Sequence, residues 1–312
     1  MSTSVLVLGD LCLDTIVSGR LPVTWQEAVA FGEPVFRVPI SEHVGGSAFH
    51  FARRAAAVGL RPIVVGSVGS DLAGDKVLAT LTGEGLDCQI QRSDEAPTAQ
   101  SIIAYDVNGA RLMIASKVSA NDNLSAEFAR ANALMFLHPG FVWLSGHCLR
   151  DRAVARWAAV IEILASAREA GAKVLLDVVP HDFYRLFHGF EDLQSAVGPI
   201  DGVVADLNTI RRWFYSGGRQ ESLGLPELEA SVADALDLVP FVMLRFHDGT
   251  TYQQLSAART CFRAAETRAV PSTEHLVGYG DFLACIALRG YIDHLVGLTD
   301  MSQSPADMER GY

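Results

Sequence analysis

The chain has 312 residues, of which 25 are lysine or arginine and 36 are aspartate or glutamate, so its formal net charge at pH 7 is −11. This acidic balance argues against a protein that binds nucleic acid nonspecifically, because such a protein needs a basic surface. Apolar residues make up 49% of the chain and charged residues 20%, which supplies a sizeable core and excludes disorder as the dominant state. We therefore expect a folded protein without a nucleic-acid partner.

The cysteines and the N-terminal segment indicate the compartment. There are 5 cysteines, an odd number, widely separated and without a Cys-x-x-Cys pair, which favours a reducing compartment over a disulfide framework or a zinc site. The first apolar run, Val5–Leu8, is too short for a signal peptide or a membrane span. These features predict a cytoplasmic protein that has no membrane partner.

Strands and helices alternate in the first part of the chain. Val5–Leu8 is predicted to be a buried strand of a parallel sheet, because it is short, apolar throughout and followed by Gly-Asp. A helix follows, with Ser47 as its predicted cap and Gly59 as its left-handed stop. The next strand is Pro62–Gly66, and the next helix covers Gly74–Leu81. This alternation predicts a parallel βα arrangement.

The pattern then changes to an antiparallel hairpin. Ser101–Val107 and Arg111–Ala115 are predicted strands on either side of Asn108-Gly109, a dipeptide that fits the type I′ turn because both central residues need positive φ. A hairpin inserted into a parallel α/β chain is an addition to the main sheet. Additions of this kind commonly cover a binding site.

Alternation returns after the hairpin, and the chain shows no internal repeat or linker. The predicted elements are a strand at Phe141–Leu144, a helix at Ala153–Ala170 closed by Gly171, strands at Val174–Leu176, Gly202–Ala205 and Phe241–Leu244, and a last amphipathic helix at Phe282–Leu295. The tail, residues 299–312, is polar and is expected to fray. We predict one α/β domain over residues 1–312, with a lid formed by parts of about 12–43 and 97–117.

The strongest local signal for chemistry is the segment Gly278-Tyr279-Gly280-Asp281, directly before the last predicted helix. A helix N-terminus leaves N–H groups unpaired and carries a positive partial charge, so it favours anions, and glycines let a phosphate approach the backbone. A carboxylate at such a place makes sense if it takes a proton from a hydroxyl that attacks the phosphorus. The structural alternative is a tight turn in which Asp281 caps the helix.

A second candidate site lies at the ends of the first elements. Asp10 and Asp14 follow the first strand, and Gly45-Gly46 opens the first long helix. Carboxylates at the carboxyl edge of a parallel sheet lie where ligands of open α/β folds bind, and aspartate readily accepts hydrogen bonds from vicinal sugar hydroxyls. The alternative is that both are ordinary loop acids, and that His50 on the helix serves packing or capping.

The order of these pieces resembles the ribokinase-like sugar kinase family of the phosphofructokinase-B type, which also contains adenosine kinases. The resemblance covers nearly the whole chain. The resemblance rests on segments that are similar to family motifs: Gly9–Asp14, Gly45–Ala52 with Gly59, Val65–Gly74, the hairpin from Pro97 to Arg111, and Gly278–Asp281. In the family's first helix signature, asparagine usually occupies the position where this chain has His50. The fold that it implies is a three-layer α/β sandwich with a mostly parallel central sheet flanked by helices, plus a small β lid.

The resemblance also implies an activity and a set of site residues. The reaction would be transfer of the terminal phosphoryl of ATP, or of another nucleoside triphosphate, with Mg²⁺, to a hydroxyl of a sugar or nucleoside. Asp281 would be the catalytic base, and the backbone at Gly278 and Gly280 would form the anion hole. The implied substrate-binding residues are Asp14, Gly45, Gly46, Ser47, His50 and Arg111, and the nucleotide-binding residues are Asn208, Arg211, Gly249 and Tyr279. No metal ligand is assigned.

The chain departs from the family pattern on the side that handles the phosphate donor. The family's Asp-Thr-Thr before the anion hole is here His275-Leu276-Val277, and its Asn-x-x-Glu is Asn208–Arg211. Its Thr-x-Gly-x-x-Gly signature is Leu244–Gly249, which keeps only the last glycine. A cation at Arg211, where an anion normally supports Mg²⁺, would repel the metal and attract phosphate oxygens.

Three hypotheses for function follow. The first is a phosphotransferase that acts on a sugar or nucleoside; the second is a family member that lost donor binding and now binds such a molecule; the third is a kinase with a different donor. Retention of Asp281 with both neighbouring glycines favours activity. The lid predicts a homodimer by resemblance, to which Trp25–Pro39, with Phe31 and Phe36, would add apolar strand surface. Alternatively, these aromatic side chains pack under the hairpin.

Overall fold

The computed structural model describes residues 3–32, 35–133, 140–178, 186–206, 239–245, 251–255, 260–263, 281, 284–285 and 288–292. Its strands, in chain order, are β1 (Ser4–Leu8), β2 (Cys12–Arg20), β3 (Ile40–Gly45), β4 (Arg61–Gly69), β5 (Asp87–Ser93), β6 (Ala99–Tyr105), β7 (Arg111–Ala115), β8 (Phe141–Ser145), β9 (Lys173–Val178), β10 (Gly202–Asp206), β11 (Phe241–Arg245), β12 (Thr251–Leu255) and β13 (Thr260–Arg263).

The α-helices are α1 (Trp25–Ala30), α2 (Ser47–Ala57), α3 (Leu72–Gly83), α4 (Ala126–Ala131), α5 (Ala155–Glu169) and α6 (Phe190–Val197). Two 3₁₀ turns, Ala120–Asn123 and Gly146–Leu149, precede α4 and α5. Near the C-terminus, residues 281, 284, 285 and 288–292 are helical, and we call them the C-terminal helix.

The main sheet has nine strands in the order β13-β12-β11-β10-β9-β8-β1-β4-β5. The seven strands from β11 to β5 pair in parallel, and β12 and β13 continue the sheet in antiparallel pairs. The inner parallel strands are apolar on both faces, as expected when helices cover both sides, whereas the edge strand β5 is mostly polar. The predicted mostly parallel central sheet is therefore confirmed.

Alternate residues of each central strand enter two different cores. On one face, Val5 and Val7 of β1 join a core built with α2, α3 and the C-terminal helix. On the other face, Leu6 and Leu8 join a core built with α4, α5 and α6. The sheet thus lies between two layers of helices, which is the predicted three-layer arrangement.

A separate small sheet of four strands, in the order β3-β2-β6-β7, adjoins the main sheet. The strands β2 and β6 pair in parallel, and β3 and β7 flank them as antiparallel edges. The chain first enters this sheet directly after β1, through Gly9–Leu11, returns to the main body between β3 and β6, and leaves the small sheet for the last time after β7 toward Ala120–Asn123. The predicted small β addition is confirmed, and its base lies beside the carboxyl end of β1.

The prediction of strand structure within Trp25–Pro39 is wrong at its start, because Trp25–Ala30 forms helix α1. A capping box explains the helix: Thr24 Oγ1 accepts from the Glu27 N–H at 3.2 Å, and the Thr24 N–H donates to the Glu27 carboxylate at 2.8 Å. Phe31 at the end of α1 is 64% exposed, so it does not pack under the hairpin.

Two local predictions about turns and caps are corrected. The hairpin turn spans Asp106–Gly109, where the Gly109 N–H donates to Asp106 O at 2.9 Å, so Asn108-Gly109 is not the central pair of a two-residue turn. The Asp106 carboxylate stabilises this longer loop by accepting from the Asn108 and Ala110 N–H groups at 2.9 and 2.8 Å. Ser47 does not cap α2; Gly46, with φ of 92°, holds the cap position without a side-chain hydrogen bond.

Within the part of the chain that the structure describes, no helix combines the length and the apolar character needed to cross a bilayer.

Candidate active site

The carboxylate of Asp14 lies at the base of the small sheet, near the start of strand β2. Its side chain is 5% exposed, and its Oδ1 atom accepts from Ser101 Oγ at 2.5 Å and from Cys12 Sγ at 3.1 Å. Ser101 lies opposite Asp14 in the β2–β6 register, so the parallel pairing of these strands brings the two side chains together. Both hydrogen bonds are accepted by Oδ1, and together they fix the position of the other carboxylate oxygen, Oδ2.

The two glycines that precede α2 make room for the acidic residues of β1–β2. A Cβ atom at Gly45 would lie 1.9 Å from Asp14 Oδ2, a distance that no side chain tolerates. A Cβ atom at Gly46 would lie 2.2 Å from Asp10 O, and the φ of 92° at Gly46 also disfavours any other residue. The pair therefore brings the start of α2 into direct contact with the chain segment that carries Asp10 and Asp14.

A cavity of about 400 Å³ opens between the small sheet and the helices α2 and α3. His50 lines it together with Asp14, so two of the predicted substrate-binding residues share one space. Burial lowers the pKa of His50, and the nearby charge of Asp14 opposes this shift only in part. His50 Nε2 is buried and has no hydrogen-bond partner among the described residues. The remaining lining residues are Ile16, His43, Val44, Phe49, Arg53, Arg54, Thr80 and Glu84.

The C-terminal helix runs beside α2 and in the same direction. Cys285 Sγ donates to Phe51 O at 3.2 Å, and Arg289 Nη1 lies 3.9 Å from the position of a Cβ atom at Gly59. Contacts therefore progress toward higher residue numbers on both helices. Asp281 is one turn before Cys285, and Ser47 is one turn before Phe51, so the two helices begin at the same end of the sheet.

Charges around Cys285 indicate what else lies at this end. Burial and then the charges of Asp281 and Asp177 raise the pKa of the Cys285 thiol well above its ordinary value. Asp177 is 4% exposed and is the next-to-last residue of strand β9, while Asp281 is partly buried at the start of the C-terminal helix. Asp177, at the carboxyl end of β9, and Asp281, at the start of the C-terminal helix, are therefore both close enough to Cys285 for their charges to affect its thiol.

Asp10, a sequence candidate for gripping a sugar, is engaged in an ion pair. Burial alone would raise the pKa of Asp10, but the charges of Arg156, His147 and Arg150 outweigh it and hold that pKa at about 2. Arg156 is 2% exposed and donates to Asp10 Oδ1. Asp10 is therefore an ionised residue of a buried network, which supports the interpretation of it as a structural acid.

The other predicted site residues fall into two groups. Arg111 is exposed on β7 and pairs with Tyr105 of β6. Tyr105 is four residues along β6 from Ser101, which corresponds to about 13 Å at the usual rise of a strand. The structure does not bring Arg111 to the cavity. Outside the described residues lie Gly278, Gly280, Asn208, Arg211, Gly249 and Tyr279, as well as His275–Val277 and the tail from residue 299.

Several residues of this region are not predicted by the sequence motifs. Arg53 and Arg54 line the cavity because they follow His50 by three and four positions on α2, a spacing that puts them on one helix face. That spacing was a usable signal. Ser101 and Arg156 had no comparable signal, since each meets its carboxylate across at least 87 residues of sequence. Among the described residues, no group of three or more His, Cys, Asp or Glu side chains is placed to hold a metal ion.

Fold and site define the class of protein. Residues 12–197 match the family model of the pfkB family carbohydrate kinases, which is more than half of the chain. The chain belongs to this family, as the sequence motifs predicted.

Individual relatives refine this classification. The chain is 31% identical over 238 residues to the bifunctional protein HldE of Rhodopseudomonas palustris, a match that covers 75% of this chain and 44% of that protein. It spans less than half the length of the curated relatives that it matches.

Solved structures share the fold at low identity. Adenosine kinase from Sinorhizobium meliloti superposes with a TM-score of 0.72 at 18% identity, covering 93% of this chain and 88% of that one. A ribokinase II protein from E. coli, solved in complex with ATP and Mg²⁺, gives a TM-score of 0.68 at 16% identity, covering 95% of this chain and 87% of that one.

Proposed function

We propose that this chain is a phosphotransferase that moves the terminal phosphoryl of a nucleoside triphosphate to a hydroxyl of a sugar or nucleoside. The observation that supports this most strongly is the parallel packing of α2 and the C-terminal helix, with Cys285 bonded to Phe51. Because of it, Asp281 and the pair Gly45-Gly46 belong to the same end of the sheet. A proton-accepting carboxylate and an acceptor-binding loop are needed at one place for this reaction.

On the acceptor side, we assign binding to the residues around the cavity. Oδ2 of Asp14 accepts from an acceptor hydroxyl, while Ser101 and Cys12 hold Oδ1. His50 lines the same cavity and has a buried, unpaired Nε2, and its lowered pKa keeps it neutral near pH 7, so it exchanges hydrogen bonds rather than charge. The small sheet, formed within about 12–43 and 97–117, acts as a lid that excludes water.

In the chemical step, Asp281 takes the proton of the acceptor hydroxyl, the hydroxyl oxygen bonds to the γ-phosphorus, and the bond from that phosphorus to the β–γ bridging oxygen breaks. Backbone N–H groups at Gly278 and Gly280 stabilise the charge on the transferring group. We assign Asp281 rather than Asp10 as the base because Asp10 is held by Arg156 and has a pKa of about 2.

For the donor, we propose ATP with Mg²⁺, as in the E. coli ribokinase II complex. When bound, Mg²⁺ neutralises charge on the β and γ phosphates. Nucleotide contacts are proposed for Asn208, Arg211, Gly249 and Tyr279, with the Arg211 guanidinium bonding phosphate oxygens directly.

The second candidate function is a sugar- or nucleoside-binding protein without phosphoryl transfer, or a kinase with an unusual donor. It is favoured by the altered donor motifs, in which Arg211 replaces the family's glutamate. The acceptor side argues for activity: the cavity, Asp14 with its two donors and Asp281 are all retained, and a protein that only binds has no need of the base.

A phosphate-transfer screen tests the proposal. Native protein is incubated with Mg²⁺ and ATP, GTP or CTP, and with D-ribose, D-fructose or adenosine as acceptor, while calorimetry measures triphosphate binding. We expect transfer to at least one acceptor and saturable binding of at least one triphosphate. Acceptor binding without any triphosphate binding would replace this proposal with the binding-protein function.

We also propose that two copies associate through the small sheet. The register places Ile40, Ile102, Leu112 and Ile114 on one face, opposite to the face of Asp14 and Ser101, and these four side chains are 42–64% exposed. A contiguous exposed apolar face is typical of an interaction surface, and a twofold dimer would bury the same face of both copies.

Light scattering coupled to size exclusion tests this association. Native protein should elute as a dimer, and Ile114→Lys, which puts a charge at the centre of the face, should elute as a monomer. Val118→Lys, at an exposed apolar residue beyond β7, is the matched control and should remain dimeric. A monomeric native protein would refute the association without touching the proposed chemistry.

A further inference from the structure

One buried arginine connects three separate chain segments beside the candidate acceptor site. Arg156 lies in the first turn of α5 and is 2% exposed. Its Nη1 donates to Asp10 Oδ1, and its Nη2 donates to His147 O at 2.8 Å and to Asp122 Oδ1 at 3.2 Å. The planar guanidinium suits this task, because its N–H groups leave in fixed directions toward different acceptors.

A second set of bonds ties the same segments to one another. Arg150 Nη2 donates to both oxygens of Asp122, at 2.9 and 2.8 Å. The side-chain amide of Asn121 pairs with the backbone of Leu11, donating to its O at 3.0 Å and accepting from its N at 3.1 Å. Segments 10–11 and 121–122 are therefore held together, and both are held to α5.

These two segments are two of the four places where the chain passes between the small sheet and the rest of the molecule; the others are the β3–α2 and β5–β6 connections. Asp10 and Leu11 lead from β1 into β2, and Asn121 and Asp122 follow the exit from β7. The network thus fixes the first entry into the small sheet and the last exit from it against the main body. A rigid base is what a sheet needs if it is to carry a binding carboxylate such as Asp14 at a constant position.

Asp10 transmits this position to the glycine pair. Its O accepts from Ala48 N at 3.1 Å, its N donates to Ser47 Oγ at 3.1 Å, and Gly46 packs directly against its carbonyl. Gly45 in turn packs against Asp14 Oδ2. Contacts therefore run without interruption from Arg156 through Asp10 and the glycine pair to the oxygen that we assign to the acceptor.

We propose that Arg156 is a positioning residue for the acceptor site, acting through Asp10 and Asp122 on the base of the small sheet. The inference rests on the proposed function, because it takes Asp14 as the acceptor-binding carboxylate. A purely structural arginine would stabilise the whole fold without favouring this site. The two roles differ in where the effect of a substitution appears.

Cys12 reports on the base of the small sheet without any assumption about activity. It is half-buried, follows Leu11 directly and donates to Asp14, and burial together with the Asp14 charge raises the pKa of its thiol. Its alkylation in native protein should therefore be slow. Cys88, which is also half-buried but lies in β5, two strands from β1 in the main sheet, serves as the internal reference.

The experiment compares Arg156→Met with native protein, using iodoacetamide and peptide mass spectrometry. Asp122→Asn is the second variant; it weakens the network from the side of the small-sheet exit and leaves the Arg156–Asp10 pair in place. Arg168→Met is the matched control, since Arg168 lies on the same helix but bonds Pro199 O at 2.7 Å, far from the site. We expect Cys12 alkylation at least tenfold faster in both network variants, with Cys88 within twofold and the control unchanged.

Kinetics supply the second measurement, with whichever of D-ribose, D-fructose and adenosine the native protein phosphorylates best. The KM for that acceptor should rise at least tenfold in the network variants, and the KM for ATP should stay within twofold. Equal acceleration at Cys12, Cys88 and the buried Cys148, an unchanged Cys12 rate, or a faster Cys12 rate with an unchanged acceptor KM would each overturn the inference. If native protein phosphorylates none of the three, the proposed function fails, and the alkylation rates alone decide whether Arg156 positions this segment.

Discussion

Replacing Asp10 by asparagine should reduce the acid sensitivity of this fold. The Asp10 carboxylate is 19% exposed and is held by the buried Arg156, with Arg150 and His147 adding positive charge and Asp122 sharing the arginines. Asparagine keeps the shape of the side chain but carries no charge at any pH. The variant therefore isolates the contribution of one ionised group.

The magnitude follows from the pKa of Asp10, which falls from an ordinary 3.8 to about 2 in the folded protein. A difference of one pH unit between folded and unfolded pKa corresponds to about 1.4 kcal/mol, so ionised Asp10 contributes about 2 kcal/mol to the free energy of unfolding near neutral pH. Because the folded pKa is the lower one, this contribution is complete above roughly pH 5 and is lost as the pH falls toward 2.

Urea unfolding followed by circular dichroism at pH 6, 5, 4 and 3 measures this contribution. Between pH 6 and pH 3, the free energy of unfolding of native protein should fall by about 1 kcal/mol more than that of Asp10→Asn. Asp87→Asn, which removes an acid from an exposed pair with Arg61, is the control and should follow the native pH dependence. Parallel curves for native protein and Asp10→Asn would refute the assignment of Asp10 to a buried ion pair.

Two further substitutions test the packing around the site. Gly45→Ala should raise the acceptor KM at least tenfold, because the added Cβ would lie 1.9 Å from Asp14 Oδ2 and would push that oxygen out of place. Gly83→Ala, whose Cβ would meet open space, is the control and should leave the KM unchanged. Equal KM values for the two variants would contradict this role of Gly45. Phe51→Ala removes a fully buried ring whose centroid lies 4.1 Å from that of the stacked Trp143 ring. In urea titrations the substitution should lower the free energy of unfolding by about 3–5 kcal/mol. A loss below about 1 kcal/mol would show that the two rings are not tightly packed.

Much of the fold could be predicted because its signals are local. Short apolar runs followed by Gly-Asp or Asp mark buried parallel strands, so Val5–Leu8 and Val174–Leu176 were found within one or two residues of β1 and β9. The stop at Gly59 was found because its φ of 78° needs glycine. The strand β5, Asp87–Ser93, went unrecognised because its alternating polar residues lack the apolar run of a central strand, as befits an edge.

The site was predicted only where the residues themselves carry a motif. Asp14 and the glycine pair are predicted in this way, and the structure shows that the glycines contact Asp14 and Asp10 directly; a binding role for them stays a prediction. Ser47 misled because its hydroxyl accepts from Asp10 N rather than from its own helix. Arg156 could not be found, since its partner Asp10 is 146 residues away and only the folded topology brings the two together.

Phosphoryl transfer by Asp281→Asn tests the central claim most directly. The variant keeps the size of the side chain at the start of the C-terminal helix but removes its ability to take a proton. Single-turnover transfer to the best acceptor should slow by about 10²–10⁴-fold, with the calorimetric affinity for Mg²⁺-ATP unchanged within twofold. A transfer rate within tenfold of native would mean that Asp281 is not the base, and the convergence of the two helix ends would then need another explanation.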